Sequence, residues 1–149
     1  IADAQRYDRK VIVEAAIDAR ELEVAVLGND APEASVVGEI RAQQAFYDYD
    51  AKYTTGGSRH IVPAELPSEV TQACLEHAVT AHHALGCRGI SRTDFRWDEA
   101  RGRDGLVLLE TNTQPGMTPT SLTPEQAAHA GMSFGALCRY LVEDASCDR

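Results

Sequence analysis

Leu106-Val-Leu-Leu-Glu-Thr-Asn-Thr-Gln-Pro-Gly-Met-Thr118 is the stretch on which the reading of this chain turns. Four apolar residues run into Glu110, Asn112 follows two positions later, and a Pro115-Gly116 turn comes next. That pattern predicts a buried strand delivering polar groups at its exit. Side chains alternate along a strand, so Glu110 and Asn112 share one face while Thr111 takes the other. A carboxylate beside a carboxamide is an all-oxygen ligand set, suited to a hard cation such as Mg2+ that also holds phosphates. A plain strand ending in a polar turn is the other reading of the same residues.

Immediately upstream, residues 89–97 (Gly-Ile-Ser-Arg-Thr-Asp-Phe-Arg-Trp) predict a second strand, with Asp98 to Gly105 as the connection. By the period of two, Arg92 and Asp94 share a face of it. Pairing the two strands with these faces together collects Asp94, Glu110 and Asn112 around one or two cations, with Arg92 beside them. An arginine next to metal-bound phosphate stabilises the charge that develops in phosphoryl transfer. A surface ion-pair ladder of Arg92, Asp94 and Glu110 is the competing reading.

Working outward, residues 1–9 read as the tail of a helix. Lys10 to Ile17 predicts a strand, Asp18 to Arg20 its turn, and Glu21 to Leu27 a partner strand ending at Gly28. Residues 28–35 read as a polar loop, and Val36 to Ile40 as a third short strand. Glu14 and Glu21 flank the predicted first hairpin, where one acid can accept hydrogen bonds from an amine and the other from ribose hydroxyls; two exposed acids are the alternative. Residues 41–66 carry no sustained period but hold Phe46, Tyr47, Tyr49 and Tyr53, which predicts an ordered lid or Ω-type loop. Lys52 in that loop is one of only two lysines among 14 basic residues, and with Tyr53 it can reach a phosphate or substrate.

Ser68 to Leu85 predicts an amphipathic helix capped by Ser68 and stopped at Gly86. Thr123-Pro-Glu-Gln126 predicts a capping box opening a final helix, with Phe134, Leu137, Cys138 and Leu141 on one stripe. The backbone N–H groups of Gly116, Ser121 and Leu122 precede that helix start and offer an anion seat, or simply a loop.

The 149 residues suffice for one domain with a real core, and 44% hydrophobic with 25% charged residues is ordinary for a soluble globular protein. A net charge of −9 argues against nucleic acid as the main partner, but not against a nucleotide that Mg2+ can bridge. No apolar run is long enough to span a bilayer, and the first residues lack a signal-peptide pattern. The four cysteines show no metal-binding spacing. Cys74 and Cys138 fall on apolar stripes, which predicts buried free thiols in a reducing compartment. Adjacent His82 and His83 cannot share a helix face. The phosphate-loop, dinucleotide, zinc-protease and serine-hydrolase signatures are all missing from the sequence.

Several motifs coincide with one family. Val11-Ile-Val-Glu14, Glu21-Leu-Glu-Val-Ala-Val26, Phe46-Tyr-Asp-Tyr-Asp-Ala-Lys-Tyr53, Gly86-Cys-Arg-Gly89, Arg92-Thr-Asp94, Leu109 to Met117 and Ser121-Leu122 stand in one order along the chain. Together they resemble the C-terminal half of D-alanine–D-alanine ligases, members of the ATP-grasp superfamily. The resemblance implies an α+β fold: an ATP-grasp C-terminal domain with a mainly antiparallel sheet, flanking helices and the long Ω-type loop. It implies a ligase that phosphorylates one D-alanine with ATP and lets the amine of a second attack the acyl phosphate. The dipeptide would serve peptidoglycan synthesis.

By the same resemblance, Asp94, Glu110 and Asn112 would hold two Mg2+ ions, with Mn2+ as a substitute. Arg92 and the Gly116 N–H would stabilise the oxyanion. Glu14 and Glu21 would hold adenine and ribose, with Ile17 and Leu109 lining the adenine slot. Lys52 would face phosphate or substrate, Tyr53 would help select the second D-alanine, and Ser121 with the Leu122 N–H would seat its carboxylate. Thr120 departs from the family, standing where a histidine is common. A cytoplasmic homodimer is expected. An N-terminal domain and phosphate loop of the parent chain are expected outside these residues, leaving this part inactive alone. A nucleotide-binding or structural module without turnover, and an ATP-grasp ligase for another amino acid, are the alternatives.

Overall fold

The computed structural model describes residues 1–42, 58–119 and 121–146. Among the described residues five antiparallel strands form one sheet: β1 (Arg20–Leu27), β2 (Glu33–Ala42), β3 (Ser58–Ile61), β4 (Ile90–Trp97) and β5 (Leu106–Asn112). Their order across the sheet is β3-β2-β1-β4-β5, which puts β1 at the centre. Among the described residues three α-helices accompany it, α1 (Ser68–Ala84), α2 (Leu122–His129) and α3 (Phe134–Glu143), with 3-10 turns at Glu99–Gly105 and at Ala4–Arg6, the latter being all the helix that residues 1–9 form.

The core lies on one face of the sheet. Leu22, Val24 and Val26 of β1, Val37 of β2, and Phe95 and Trp97 of β4 bury against Val70, Cys74 and Ala78 of α1. Alternation puts these residues on one side, and each large side chain so buried contributes about 1.5–3 kcal/mol. At one edge of the core, Glu39 accepts a fork of bonds from Arg20, at 2.9 and 2.8 Å, and another from Arg41, at 3.0 and 3.1 Å. Burial works against the charge on Glu39, but the two guanidinium partners outweigh it and hold its carboxyl below the ordinary range.

The opposite face is only partly covered. Gly38 on β2 sits beside Glu23 on β1, and α2 packs directly on this glycine. A Cβ at Gly38 would run into the end of the Leu122 side chain and lie 3.0 Å from its Cγ and 3.2 Å from Gln126 Nε2. The Gln126 amide cannot yield, because it donates to the backbone oxygens of Glu23 (2.8 Å) and Val36 (2.9 Å). Gly38→Ala is therefore expected to cost about 1–3 kcal/mol through overpacking, read as a lower urea midpoint with an unchanged slope. His60 on β3 adds a second tie to α2, with its Nδ1 at 3.0 Å from both Glu125 oxygens.

Strands 21–27, 89–97 and 106–112, and the helix stopping at Gly86, lie where the sequence puts them, and the α+β expectation holds. But 106–112 is not the buried strand expected: it is the sheet's edge strand, with no buried residue, because only one neighbour covers it. Several local expectations do not. Residues 10–17 form no strand: no described strand runs beside them, and Ile12 and Val13 are largely exposed. An isolated extended segment has no ladder partner and so no strand. The first hairpin is instead β1–β2, with a turn around Gly28 to Pro32. β2 is ten residues long rather than five, and the expected 41–66 loop yields its last part to β3, which pairs with β2. Residues 43–57, the heart of the expected lid, lie outside the described residues. Pro67, not Ser68, is the cap position of α1, and Ser68 is already helical. The expected capping box fails as well. α2 begins at Leu122, Thr123 is buried, and Gln126 spends its amide on the sheet. The single final helix is broken into two at Gly131, and Ser133 caps the second by accepting from the Ala136 N–H at 3.3 Å. Cys74 is buried, its thiol pushed up to about 12 by burial, while Cys138 is only half-buried.

His82 at the end of α1 is 1% exposed and its Nδ1 lies 2.8 Å from Ser91 Oγ. Burial, opposed by a main-chain bond at Gly28 and aided by the charge on His83, pushes its imidazole below the ordinary value of 6.5. The unfolded chain takes up a proton that the folded one refuses, so His82 stabilises the fold fully above pH 6.5 and progressively less below it. Glu39, with its pKa lowered from 4.5, keeps its contribution to that pH and loses it only in stronger acid. Urea midpoints are expected to fall between pH 7.5 and 5.5, and His82→Asn should flatten that fall while leaving the stronger-acid loss intact.

Candidate functional site

The half of the second face that α2 leaves open is built from charged strand residues. Glu21 pairs with Arg96, Glu23 with Asp94, Asp94 with Glu110, and Arg92 with Asn112 in register. All seven side chains therefore share one face across β1, β4 and β5. The grouping survives a bulge in β5: partners jump from Glu110 opposite Asp94 to Leu108 opposite Phe95, leaving Leu109 as the extra residue. Without that insertion, Glu110 and Leu108 would lie on one side. With it, the carboxylate joins the charged face and Leu108 turns away from it.

Arg92 is the hub. Its Nε and Nη2 donate to the two oxygens of Asp94 at 2.7 and 2.8 Å, and its Nε also stands 3.1 Å from Glu23 Oε2. Burial opposes the charge on Arg92. The Asp94 bonds and the charges of Glu23, Asp94 and Glu110 outweigh that effect and raise its pKa. Across the ladder, Asn112 Nδ2 donates to Glu110 Oε1 at 3.2 Å. One turn of the pleat away, Arg96 donates to Glu21 Oε2 at 2.9 Å and to the backbone oxygen of Ala19 at 2.9 Å.

Gly116 lies beyond the exit of β5. A Cβ there would sit 2.7 Å from Ser121 Oγ, so only glycine lets these two chain segments approach so closely. Ser121 Oγ accepts from the Thr118 N–H at 3.1 Å and lies 2.8 Å from Thr118 Oγ1, leaving its own helix without a side-chain cap. The side chain of Leu122 is buried over Gly38.

Arg92, Asp94, Glu110 and Asn112 are thus brought together, as the paired-strand reading requires. Glu14 and Glu21 do not flank a common hairpin. Glu14 is exposed on the unpaired 10–17 stretch, whereas Glu21 is held by Arg96. Ile17 is half-buried on that same stretch, and Leu109 is 45% exposed at the bulge. Lys52, Tyr53 and Thr120 lie outside the described residues. Glu23, Arg96 and Gln126 were missed by the sequence reading. The signal for Glu23 was available: an acid on the same alternation as Glu21, inside an apolar strand.

The donor set fits a divalent cation by its chemistry, with two carboxylates and a carboxamide at facing register positions. Among the described residues, no three His, Cys, Asp or Glu side chains stand arranged to hold one, and both oxygens of Asp94 are occupied by Arg92. Among the same residues, no helix is long and apolar enough to cross a membrane.

Residues 1–143 match the family described as D-ala D-ala ligase C-terminus. The chain belongs to that family.

Among curated relatives, D-alanine–D-alanine ligases of Dinoroseobacter shibae and of a Ruegeria species are 65% and 63% identical over 93% and 98% of this chain. The chain spans under half of their length, 44% and 46% respectively. Among solved structures, the D-alanine–D-alanine ligase of Coxiella burnetii superposes with a TM-score of 0.76 at 29% identity, over 96% of this chain and 36% of that one. The VanG D-Ala:D-Ser ligase of Enterococcus faecalis gives 0.70 at 36% identity, over 87% of this chain and 37% of that one. The Bacillus anthracis ligase complexed with ATP gives 0.69 at 27% identity, over 88% of this chain and 41% of that one. This chain therefore shares its α+β frame with parts of these solved ligases.

Proposed function

We propose that this chain is the ATP-handling, catalytic half of a longer ligase that joins two D-alanines. The observation that carries the reading is the facing of Arg92 with Asn112 and of Asp94 with Glu110 on the open half of the sheet. Family membership and the ATP complex of a structural neighbour support it.

In the reaction, the carboxylate oxygen of the first D-alanine takes the γ-phosphoryl group of ATP and ADP leaves. The amine of the second attacks the resulting carbonyl, its proton is lost, and inorganic phosphate departs as the peptide bond closes. Asp94, Glu110 and Asn112 would hold Mg2+, which when bound neutralises phosphate charge. Arg92, kept protonated by its acidic neighbours, presents a fixed positive charge to the developing oxyanion, and the Gly116 N–H adds a second donor. Ser121 and the Leu122 N–H, at the start of α2, receive the carboxylate of the second amino acid. Glu21, held in place by Arg96, accepts from ribose hydroxyls. Glu14, Ile17 and Leu109 complete the adenine end, and Lys52 and Tyr53 face phosphate and the second substrate. The dipeptide feeds peptidoglycan synthesis in the cytoplasm, and the intact enzyme works as a homodimer.

The test is the intact protein with ATP, Mg2+ and D-alanine, followed by phosphate release and dipeptide. The likeness to a D-Ala:D-Ser ligase makes D-serine the informative competitor. Dipeptide from D-alanine alone is expected. Its absence with either amino acid would overturn the ligase reading, and dipeptide made by the 149-residue chain alone would overturn the half-enzyme part.

A further inference from the structure

The proposed site leaves one buried acid without a role. Glu23 is 4% exposed at the centre of the sheet, and its Oε2 lies 3.1 Å from Arg92 Nε. Its backbone oxygen accepts from Gln126, so the same residue also fastens α2, which begins at Leu122 with Ser121 in the cap position before it.

We infer that Glu23 is the positioning residue for Arg92: it keeps the guanidinium in place when Asp94 turns from arginine to cation. The inference rests on the ligase reading above. In the structure both Asp94 oxygens are engaged by Arg92. A carboxylate that ligates a divalent cation gives up much of its charge to that cation, and the arginine then faces the cation's like charge with one counter-ion fewer. A half-buried guanidinium that has lost its partners either swings toward solvent or destabilises the site. Glu23 is the group that prevents this. It is fixed in the central strand and contacts Nε, so that Nη2, which Asp94 holds in the structure, can face an oxyanion once Asp94 turns to the cation.

A double-mutant cycle in the intact protein tests this, with Glu23→Gln, Arg92→Lys and the pair. Glu23→Gln is expected to lower kcat about 10- to 100-fold, with KM for ATP changed less than about threefold and the melting temperature nearly kept. It should also weaken the thermal upshift produced by ADP with Mg2+, a readout independent of turnover. Glu23→Asp, which keeps the charge on a shorter stem, is expected to recover part of the loss. In the Arg92→Lys background, Glu23→Gln should cost less than about twofold more, because its target is already gone. Multiplicative losses would show that Glu23 acts independently of Arg92 and overturn the inference while sparing the ligase reading. Full activity in Arg92→Lys alone would overturn the inference together with the role given to Arg92, whereas the ligase reading falls only if the unaltered intact protein makes no dipeptide.

Discussion

Asp94→Asn and Glu110→Gln, each made in the intact protein, are expected to lower dipeptide formation roughly a thousandfold while the melting temperature moves by only a few degrees. The two substitutions keep shape and remove charge. Both residues sit at the open half of the sheet face and neither contributes to the apolar core on the far side, so the fold has little to lose. Asp94→Asn turns one of the two oxygens that accept from Arg92 into a donor and removes the charge, but the remaining oxygen can still accept and Glu23 at 3.1 Å still compensates the guanidinium. Phosphoryl transfer has more to lose, because a hard cation needs anionic oxygen and an amide is a poor substitute. Steady-state kinetics with thermal melts on the same samples check this. Wild-type turnover in both variants would reduce the facing pairs to a surface ladder.

Trp97→Ala is expected to have the largest effect on stability, about 3–5 kcal/mol, against a total of roughly 5–15 kcal/mol for a typical domain. Trp97 is among the largest fully buried side chains and closes the end of the core between β4 and α1. Its indole N–H donates to the backbone oxygen of Gly102 at 2.8 Å, tying the turn of Glu99–Gly105 to the sheet. Arg20 stacks over the ring at 5.0 Å while holding Glu39, so truncation also loosens that ion pair. Alanine would leave a cavity, an unsatisfied carbonyl and an arginine without its platform. Denaturant unfolding of the intact protein measures the loss, and Trp97→Phe, which keeps most of the volume, should recover roughly half of it. A midpoint unchanged by Trp97→Ala would show that the core closes without this side chain.

Strands marked by alternation or by an apolar run ending at polar residues, and a helix with an apolar stripe, were legible because their pattern is local. Glu21–Leu27, Gly89–Trp97 and Leu106–Asn112 announce themselves in a window of a few residues. Residues 10–17 have the composition of a strand but no neighbour in the described sheet, and composition cannot supply one. The capping box at Thr123–Gln126 failed for a related reason. A buried bond from Gln126 to two sheet carbonyls outweighs a solvent-exposed cap, and that choice depends on β1 and β2 lying underneath.

The candidate site divides in the same way. The residue types and the period of two put Arg92 with Asp94 and Glu110 with Asn112 before any fold was known, because alternation along a strand is fixed by backbone geometry. Which residue faces which was decided by the strand register and by the Leu109 bulge, neither of which any short window contains. Glu23 entered the site only because β1 pairs with β4, a contact between residues about seventy positions apart. The chain by itself settled which chemistry was on offer; tertiary pairing settled which charges meet, since an ion pair depends on separation in space and the sequence records only separation along the backbone.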